Sequence, residues 1–315
     1  MKQILVTGGA GYIGSLVVKK LLDAEHGVVV IDNLSKGKKA LVDKRAKLYV
    51  VDILDRSTLT KKLKGQTFDV VMHLAARKDA GESMVNPDLY YENIVGIMNL
   101  IALAPVLKVK KFIFSSSAAV YGEPVGDSSI SEAHICQPTN FYGYSKLAGE
   151  ELLEWMRRLH KIDYIALRYF NVAGDGGLHY IDPNAKNIFN VIADVLVGKK
   201  KQLEIFGDDY PTPDGTGIRD YVHVSDIADA HIRALSTKGS HVINLGSETG
   251  YSVQEIVQEF EKVSGKKVAR KIVRRRAGDI ASLIATSAKA TEILKWKPTR
   301  GLEEMVVSTW EAYNK

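Results

Sequence analysis

Short apolar, β-branched runs alternate with amphipathic stretches through the first half of the chain. Runs at residues 2–7, 27–32, 47–51, 68–73, 110–115 and 162–168 read as strands, and stretches near 12–24, 55–63, 90–107 and 141–160 carry helical spacing. This alternation predicts an α/β fold, a doubly wound parallel sheet with helices on both faces. After Arg168 the rhythm breaks. Residues 171–186 and 207–217 are rich in Gly, Asp and Pro and read as long loops, a class of segment that is usually functional or mobile. The remainder reads as a smaller mixed α/β domain. The boundary is expected near residue 170, with a strand and helix near 219–236 returning to the main sheet.

The first strand runs into Gly8, Gly11 and Gly14, and a helical stretch starts at Tyr12. The second strand ends in Asp32, eighteen positions past Gly14. Strand, glycine turn and helix make a pyrophosphate cradle, because glycine admits close backbone approach and the helix N-terminus presents unpaired N–H groups. An acidic side chain at the second strand end accepts from a ribose 2′-OH and repels a 2′-phosphate, which selects NAD. Residues 1–170 are therefore expected to form a Rossmann-type NAD-binding domain. Ligands of such sheets sit at the carboxyl ends of the strands, where Gly8, Asp32, Asp52, Ala75 and Ser115 to Ser117 fall together.

The chain has 315 residues, 45% hydrophobic and 25% charged, as in an ordinary globular enzyme. A lone cysteine, Cys136, forms no intrachain disulfide and fits a reducing compartment. There is no secretion signal and no bilayer-length apolar run, so the expected location is the cytoplasm, with no membrane partner. Net charge is +6, and the clearest basic cluster is Lys266 to Arg276. It has no interleaved aromatic platform, so nucleic acid is not expected as a partner. It reads as solvated surface, with Arg276 also placed to reach an anionic substrate. The histidines show no ligand spacing, and no metal is expected.

The strand ending in Ser115, Ser116 and Ser117 is followed by a helix headed Phe141-Tyr142-Gly143-Tyr144-Ser145-Lys146. Tyr142 and Lys146 are four apart and share a helix face. A free phenol titrates near pH ~10, and a neighbouring ammonium favours its ionised form, bringing an acid–base catalyst toward working pH. Ser117 can bond the substrate hydroxyl. Tyr144 points elsewhere and reads as a surface or packing residue.

The spacing Gly-x-x-Gly-x-x-Gly resembles the extended, nucleotide-sugar branch of the short-chain dehydrogenase/reductase superfamily. Within it, the chain resembles the UDP-glucose 4-epimerase family along nearly its whole length. The matching segments include residues 6–14, 32–34, 73–76, 114–122 and 168–171, and most specifically Ile205 to Val224, which runs from Tyr210-Pro211-Thr212 to Arg219-Asp220-Tyr221. The resemblance implies NAD-dependent interconversion of UDP-glucose and UDP-galactose through a transient 4-keto sugar. Tyr142 would be the acid/base, assisted by Lys146 and Ser117. The implied cofactor contacts are Gly8, Gly11, Tyr12, Ile13, Gly14, Asp32, Asn33, Asp52, Ile53, Ala75, Lys78, Asn93, Ser115, Tyr142, Lys146 and Phe170. The implied substrate contacts are Ser117, Tyr142, Asn171, Asn187, Arg219, Arg276 and Asp279, the arginines suiting diphosphate oxygens. A homodimer built through a helical bundle is also implied.

Sibling activities fit less well. Related dehydratases carry Thr-Asp-Glu where this chain has Ser117-Ala118-Ala119, and alanines cannot eliminate water; related decarboxylases usually carry Glu at the position of Ala119. Non-catalytic NAD-sensing relatives commonly lose the Tyr–Lys pair that this chain keeps. Leu283 stands where the family uses a bulky residue to exclude N-acetyl sugars or a small one to admit them. UDP-GlcNAc/GalNAc or UDP-pentose epimerisation is therefore the alternative activity.

Overall fold

A computed structural model describes residues 1–123, 129–180, 187–275 and 279–314. The chain folds as two compact units. One comprises residues 1–122, 135–169 and 228–243; the other comprises 123–134, 170–227 and 244–315.

The elements of the first half are β1 (Gln3–Thr7), α1 (Tyr12–Asp23), β2 (Gly27–Asp32), β3 (Lys47–Val50), α2 (Arg56–Leu63), β4 (Val70–His73), α3 (Ala80–Val85), α4 (Asp88–Leu103), β5 (Lys111–Ser117), β6 (Ser129–Ile130), α5 (Phe141–His160) and β7 (Asp163–Tyr169). The second half adds β8 (Asn171–Ala173), α6 (Ile188–Leu196), β9 (Leu203–Phe206), β10 (Ile218–His223), α7 (Val224–Ala234), β11 (His241–Leu245), β12 (Gly250–Ser252), α8 (Val253–Ser264), β13 (Arg270–Val273), β14 (Ser282–Ala285) and α9 (Leu302–Tyr313).

The first unit is built on a sheet of order β11-β7-β5-β4-β1-β2-β3 among the described residues. The pairs from β7 to β3 are parallel. This is the doubly wound arrangement that the strand–helix alternation predicts. Its central strands are apolar along their middles; Ile4, Leu5, Val6, Phe112 and Ile113 are wholly buried, as a sheet covered on both faces requires. One covering layer packs Leu59, Leu63, Ile97, Leu100, Leu153 and Met156 onto β1, β4 and β5. Helix α5 starts where it does because Asn140, in extended backbone, accepts from the Gly143 N–H at 2.9 Å.

The second unit holds a mixed sheet, β12-β10-β14-β6, with β8 on β10, and a separate β13-β9 pair. Ala173, Phe189, Ile192, Ile256, Phe260 and Met305 form its core. Two expectations change here. Of the return segment expected near 219–236, the strand part does not join the main sheet, since β10 pairs with β8, β12 and β14, whereas residues 228–236 do belong to the first unit. The strand that joins β7 is β11, supplied after α7. The segment 207–217 is a loop, as expected, and internal hydrogen bonds hold it. Tyr210 N–H bonds the Gly215 carbonyl at 2.9 Å, Thr212 Oγ1 bonds the Thr216 carbonyl at 2.7 Å, and Asp214 accepts from Ser252. Asn171–Ala173, expected within a loop, is a strand because its backbone finds β10.

Among the described residues no helix is long and apolar enough to cross a membrane. Asp220, on β10, is wholly buried and accepts from the N–H groups of Ser247 (2.7 Å), Glu248 (3.1 Å) and Ala285 (3.0 Å) and from the Ser247 hydroxyl (2.6 Å). Burial pushes its carboxyl up, and the hydrogen bonds of Ser247 oppose that. Asp220→Ala strips the acceptor from all four donors. The expected loss is about 3 kcal/mol of stability, read as a lowered urea midpoint against the parent chain.

Candidate active site

The glycine turn after β1 fits a dinucleotide phosphate on steric grounds. Gly8 has φ +76° and closes on the chain after β4, where an added Cβ would stand 2.5 Å from the Ala75 nitrogen. An added Cβ at Gly14 would lie 2.0 Å from the Gly8 carbonyl oxygen. Only glycine lets the first turn of α1 press so close to the loop. Gly11 caps α1 with no side-chain bond. Asp32 is 8% exposed at the end of β2; its two oxygens accept from the N–H groups of Ala10 and Leu34, each at 2.9 Å. The carboxylate thus ties the glycine turn to the second strand, and each oxygen keeps a lone pair for a ribose hydroxyl.

The neighbouring strand ends are linked in the same way. Asn33 Nδ2 donates to Asp52 at 2.9 Å, and Asp52 also accepts from Leu54 N–H at 2.9 Å. Tyr12 and Ile13 stand half-buried in the first turn of α1, Ile53 packs against the core, and Lys78 is exposed. Asn93 is buried on α4. Its amide bonds the backbone of Arg77 in both directions, at 2.9 and 3.1 Å, and donates to Ser145 Oγ at 3.0 Å. Its first task is therefore to fix the segment at 76–78 against α5, a task that its type and position alone do not reveal.

Helix α5 carries Tyr142 and Lys146 on one face. Lys146 is 3% exposed; its Nζ donates to the Ser115 carbonyl at 2.7 Å and lies 5.0 Å from the Phe114 ring and 5.9 Å from the Tyr142 ring. Burial lowers its affinity for a proton to about 7, against the opposing charge of Glu150. The Tyr142 ring stands edge-on to Tyr90, and its backbone N–H donates to Ser83 Oγ at 3.0 Å. Burial raises the Tyr142 hydroxyl above its ordinary value, and a hydrogen bond with Ser117 opposes the rise. The depression expected from Lys146 is not found; desolvation of the phenolate is the larger cause and raises it. Ser117 also accepts from the Ala119 N–H at 3.2 Å. Tyr144 is 49% exposed and rests on Phe141.

His73, at the end of β4, is a feature that residue spacing did not single out. It is buried, bonds Thr7 Oγ1 at 2.7 Å and stacks on Phe114. Burial, with the Lys146 charge, lowers its proton affinity to about 3, so it is a neutral wall of the site.

In the second unit, Phe170 is buried and its N–H donates to the Leu245 carbonyl at 3.2 Å. Asn171 Nδ2 donates to the Asp220 carbonyl at 2.9 Å. Asn187 caps α6, accepting from Phe189 N–H at 3.0 Å and donating to the Val172 carbonyl at 2.6 Å. Arg219 and Asp279 face each other at 3.6 Å, each side chain 23% exposed. Leu283 is the β-sheet partner of Arg219. Arg276 lies outside the described residues.

The family model described as the NAD dependent epimerase/dehydratase family matches residues 4–246. The chain belongs to that family. Its relatives include a UDP-glucose 4-epimerase of Bacillus subtilis, 44% identical over 98% of this chain and 95% of the relative. Among solved structures, a UDP-glucose-4-epimerase from Stenotrophomonas maltophila, with bound NAD and formylated UDP-arabinopyranose, superposes with a TM-score of 0.94. It is 36% identical, covering 100% of this chain and 98% of that one. The UDP-Glc/GlcNAc 4-epimerase of Campylobacter jejuni superposes with a TM-score of 0.90 at 39% identity, covering 100% of this chain and 99% of that one. Membership of an NAD-dependent family agrees with the fit of the glycine turn and Asp32.

Two outcomes follow from the site. Gly14→Ala forces α1 away from Gly8 and weakens NAD retention about tenfold or more, measured as nucleotide released on denaturing the purified protein. His73 titrates near 6.5 when unfolded and about 3 when folded. Its contribution is therefore complete above pH 6.5 and is lost as pH falls toward 3. Between pH 7 and 5 the loss is about 2 kcal/mol, and a His73→Gln variant shows a correspondingly shallower pH slope in urea unfolding.

Proposed function

We propose that this chain is an NAD-dependent 4-epimerase that interconverts UDP-glucose and UDP-galactose through a transient 4-keto sugar. The observation that carries the reading is the meeting of Lys146 with the Ser115 carbonyl at 2.7 Å, which sets the Tyr142 face of α5 against the serine end of β5. The shared name of full-length relatives supports the substrate. Gly8, Gly11, Tyr12, Ile13, Gly14, Asp32, Asn33, Asp52, Ile53, Ala75, Lys78, Asn93, Ser115, Lys146 and Phe170 would hold NAD, which would supply reversible hydride exchange with C4. Tyr142 accepts the proton of O4 and later returns it. Ser117 bonds the same oxygen and passes no net proton. Lys146 offsets the charge of the Tyr142 phenolate, which burial alone disfavours. Ala118 and Ala119 follow Ser117, so no acid or base is at hand there to expel water from the keto sugar.

For the nucleotide, Arg219 and Arg276 neutralise the diphosphate, and Asn171, Asn187 and Asp279 take polar groups of the UDP moiety. Arg219 exchanges part of its pairing with Asp279 for phosphate oxygens, a stronger charge-assisted contact. A second reading, epimerisation of UDP-GlcNAc/GalNAc or of a UDP-pentose, is compatible with Leu283. A side chain of intermediate bulk lies beside Arg219 in the β10–β14 register. The similar Campylobacter jejuni structure is of a UDP-Glc/GlcNAc 4-epimerase.

Partnering with a second copy is also part of this reading. Tyr91, Val95 and Met98 on α4 and Trp155 and Leu159 on α5 are between 43% and 69% exposed. Apolar side chains so exposed on two helices suit a bundle with the same helices of another protomer.

NMR of purified protein with UDP-galactose, beside UDP-GalNAc and without added NAD, tests the activity. Conversion of UDP-galactose is expected; failure to convert either sugar even with NAD supplied contradicts the proposal. Tyr142→Phe is expected to lower turnover by about a thousandfold with NAD retention unchanged. In sedimentation, the parent chain is expected as a dimer and Val95→Glu as a monomer. A monomeric parent refutes the partnering.

A further inference from the structure

The same face of α5 continues one turn past Lys146 to Glu150, four residues on. Glu150 is 5% exposed, and two strands hold its carboxylate. Ser116 Oγ, on β5, donates to Oε1 at 2.5 Å. Arg168, on β7, forks onto both oxygens, with Nε at 2.9 Å from Oε1 and Nη2 at 2.6 Å from Oε2. Arg168 Nη1 donates in turn to Tyr121 Oη at 2.9 Å, with the guanidinium 4.9 Å from that ring. Ser116 faces away from Ser115 and Ser117 along the strand. The Ser115 carbonyl therefore holds Lys146, the Ser117 hydroxyl bonds Tyr142, and the Ser116 hydroxyl between them grips Glu150.

A buried carboxylate with bonds this specific costs desolvation, and a simple packing role does not need it. It does two things at once. It fixes the register of α5 on β5, and its charge, one helical turn on, favours the Lys146 ammonium. We propose that Glu150 is a positioning residue that keeps Lys146 cationic and bonded to the Ser115 carbonyl, where it serves Tyr142. This rests on the roles assigned above to Tyr142 and Lys146.

The electrostatic setting supports this. Lys146 is surrounded by His73 from β4, which is neutral; by the Phe114 ring and Ser115 carbonyl from β5; and by Tyr142 and Glu150 from its own helix. Tyr169 on β7 is buried and kept protonated, bonding Ser115 and His231. Cys136, near Arg168, has its thiol pushed up by burial. Of these groups, Glu150 alone carries a charge that favours the ammonium. Burial draws Lys146 down to about 7 even with Glu150 present. Removing the carboxylate must move it lower, while Arg168, left without its partner, pushes the same way.

The test is Glu150→Gln, which keeps the shape and loses the charge, beside the double variant Glu150→Gln/Arg168→Met, which buries no lone cation, and Glu150→Asp. Lys146 is titrated by NMR on protein carrying 13C-labelled lysine, its signal assigned by loss in Lys146→Met. The alkaline limb of kcat for UDP-galactose is recorded alongside. In Glu150→Gln the Lys146 titration and the alkaline limb are expected to move down together by about one pH unit, with KM unchanged. The double variant is expected to shift the same way but less, and Glu150→Asp to stay near the parent value. If Glu150→Gln does not fold, the double variant against the parent decides. A Lys146 titration that stays in place in every folded variant lacking the carboxylate overturns the proposal and leaves Glu150 a packing residue. A parent chain that does not turn over UDP-galactose counts against the activity instead, and the Lys146 titration still judges Glu150.

Discussion

The site depends on one approach distance. Helix α5 lies close enough to β5 for a buried lysine to bond a strand carbonyl, with Lys146 Nζ 2.7 Å from the Ser115 oxygen. A lysine in this setting cannot reach water, so its place is fixed by whatever the sheet offers. The strand offers a carbonyl at its carboxyl end, an aromatic face from Phe114, and hydroxyls on either side. Tyr142 is carried to the same strand end because it lies one turn earlier on the helix. Asn140 fixes where that helix begins, and the Glu150–Arg168 pair fixes its docking on β5 and β7.

The glycine turn applies the same logic at the next strand ends. Gly8 and Gly14 are in contact at a distance no Cβ tolerates, and Asp32 ties the turn to β2 through Ala10. The glycine turn and the Asp32 carboxylate are thus one mechanical piece. A shift of α1 disturbs both together, so cofactor retention is a sensitive reporter of this corner of the fold.

The strands and helices of the first unit were legible because a sheet buried on both faces must be written in unbroken apolar runs. Glycine spacing and the Tyr–Lys interval likewise follow from geometry that a sequence carries directly. The second unit was harder to read for a physical reason: its strands are short and mixed in direction, so partners are set by tertiary contacts. Residues 218–223 look like any main-sheet strand until β8, β12 and β14 pair with them. The Gly- and Pro-rich segment at 207–217 resembles a mobile loop, yet internal hydrogen bonds hold it. Charged residues are expected at the surface, which concealed Glu150, Arg168 and Asp220. The interval from Lys146 to Glu150 repeats that from Tyr142 to Lys146, a signal that could have revealed the stripe. The upward displacement of the Tyr142 hydroxyl could not be read from sequence, because it comes from burial.

The central claim is that one retained NAD and one tyrosine move the C4 hydrogen of a UDP-hexose out and back within a single site. The most direct measurement uses UDP-galactose deuterated at C4, incubated with the purified protein in ordinary water without added cofactor. UDP-glucose that retains its deuterium at C4 is expected. Exchange of that deuterium for solvent hydrogen during conversion would contradict it.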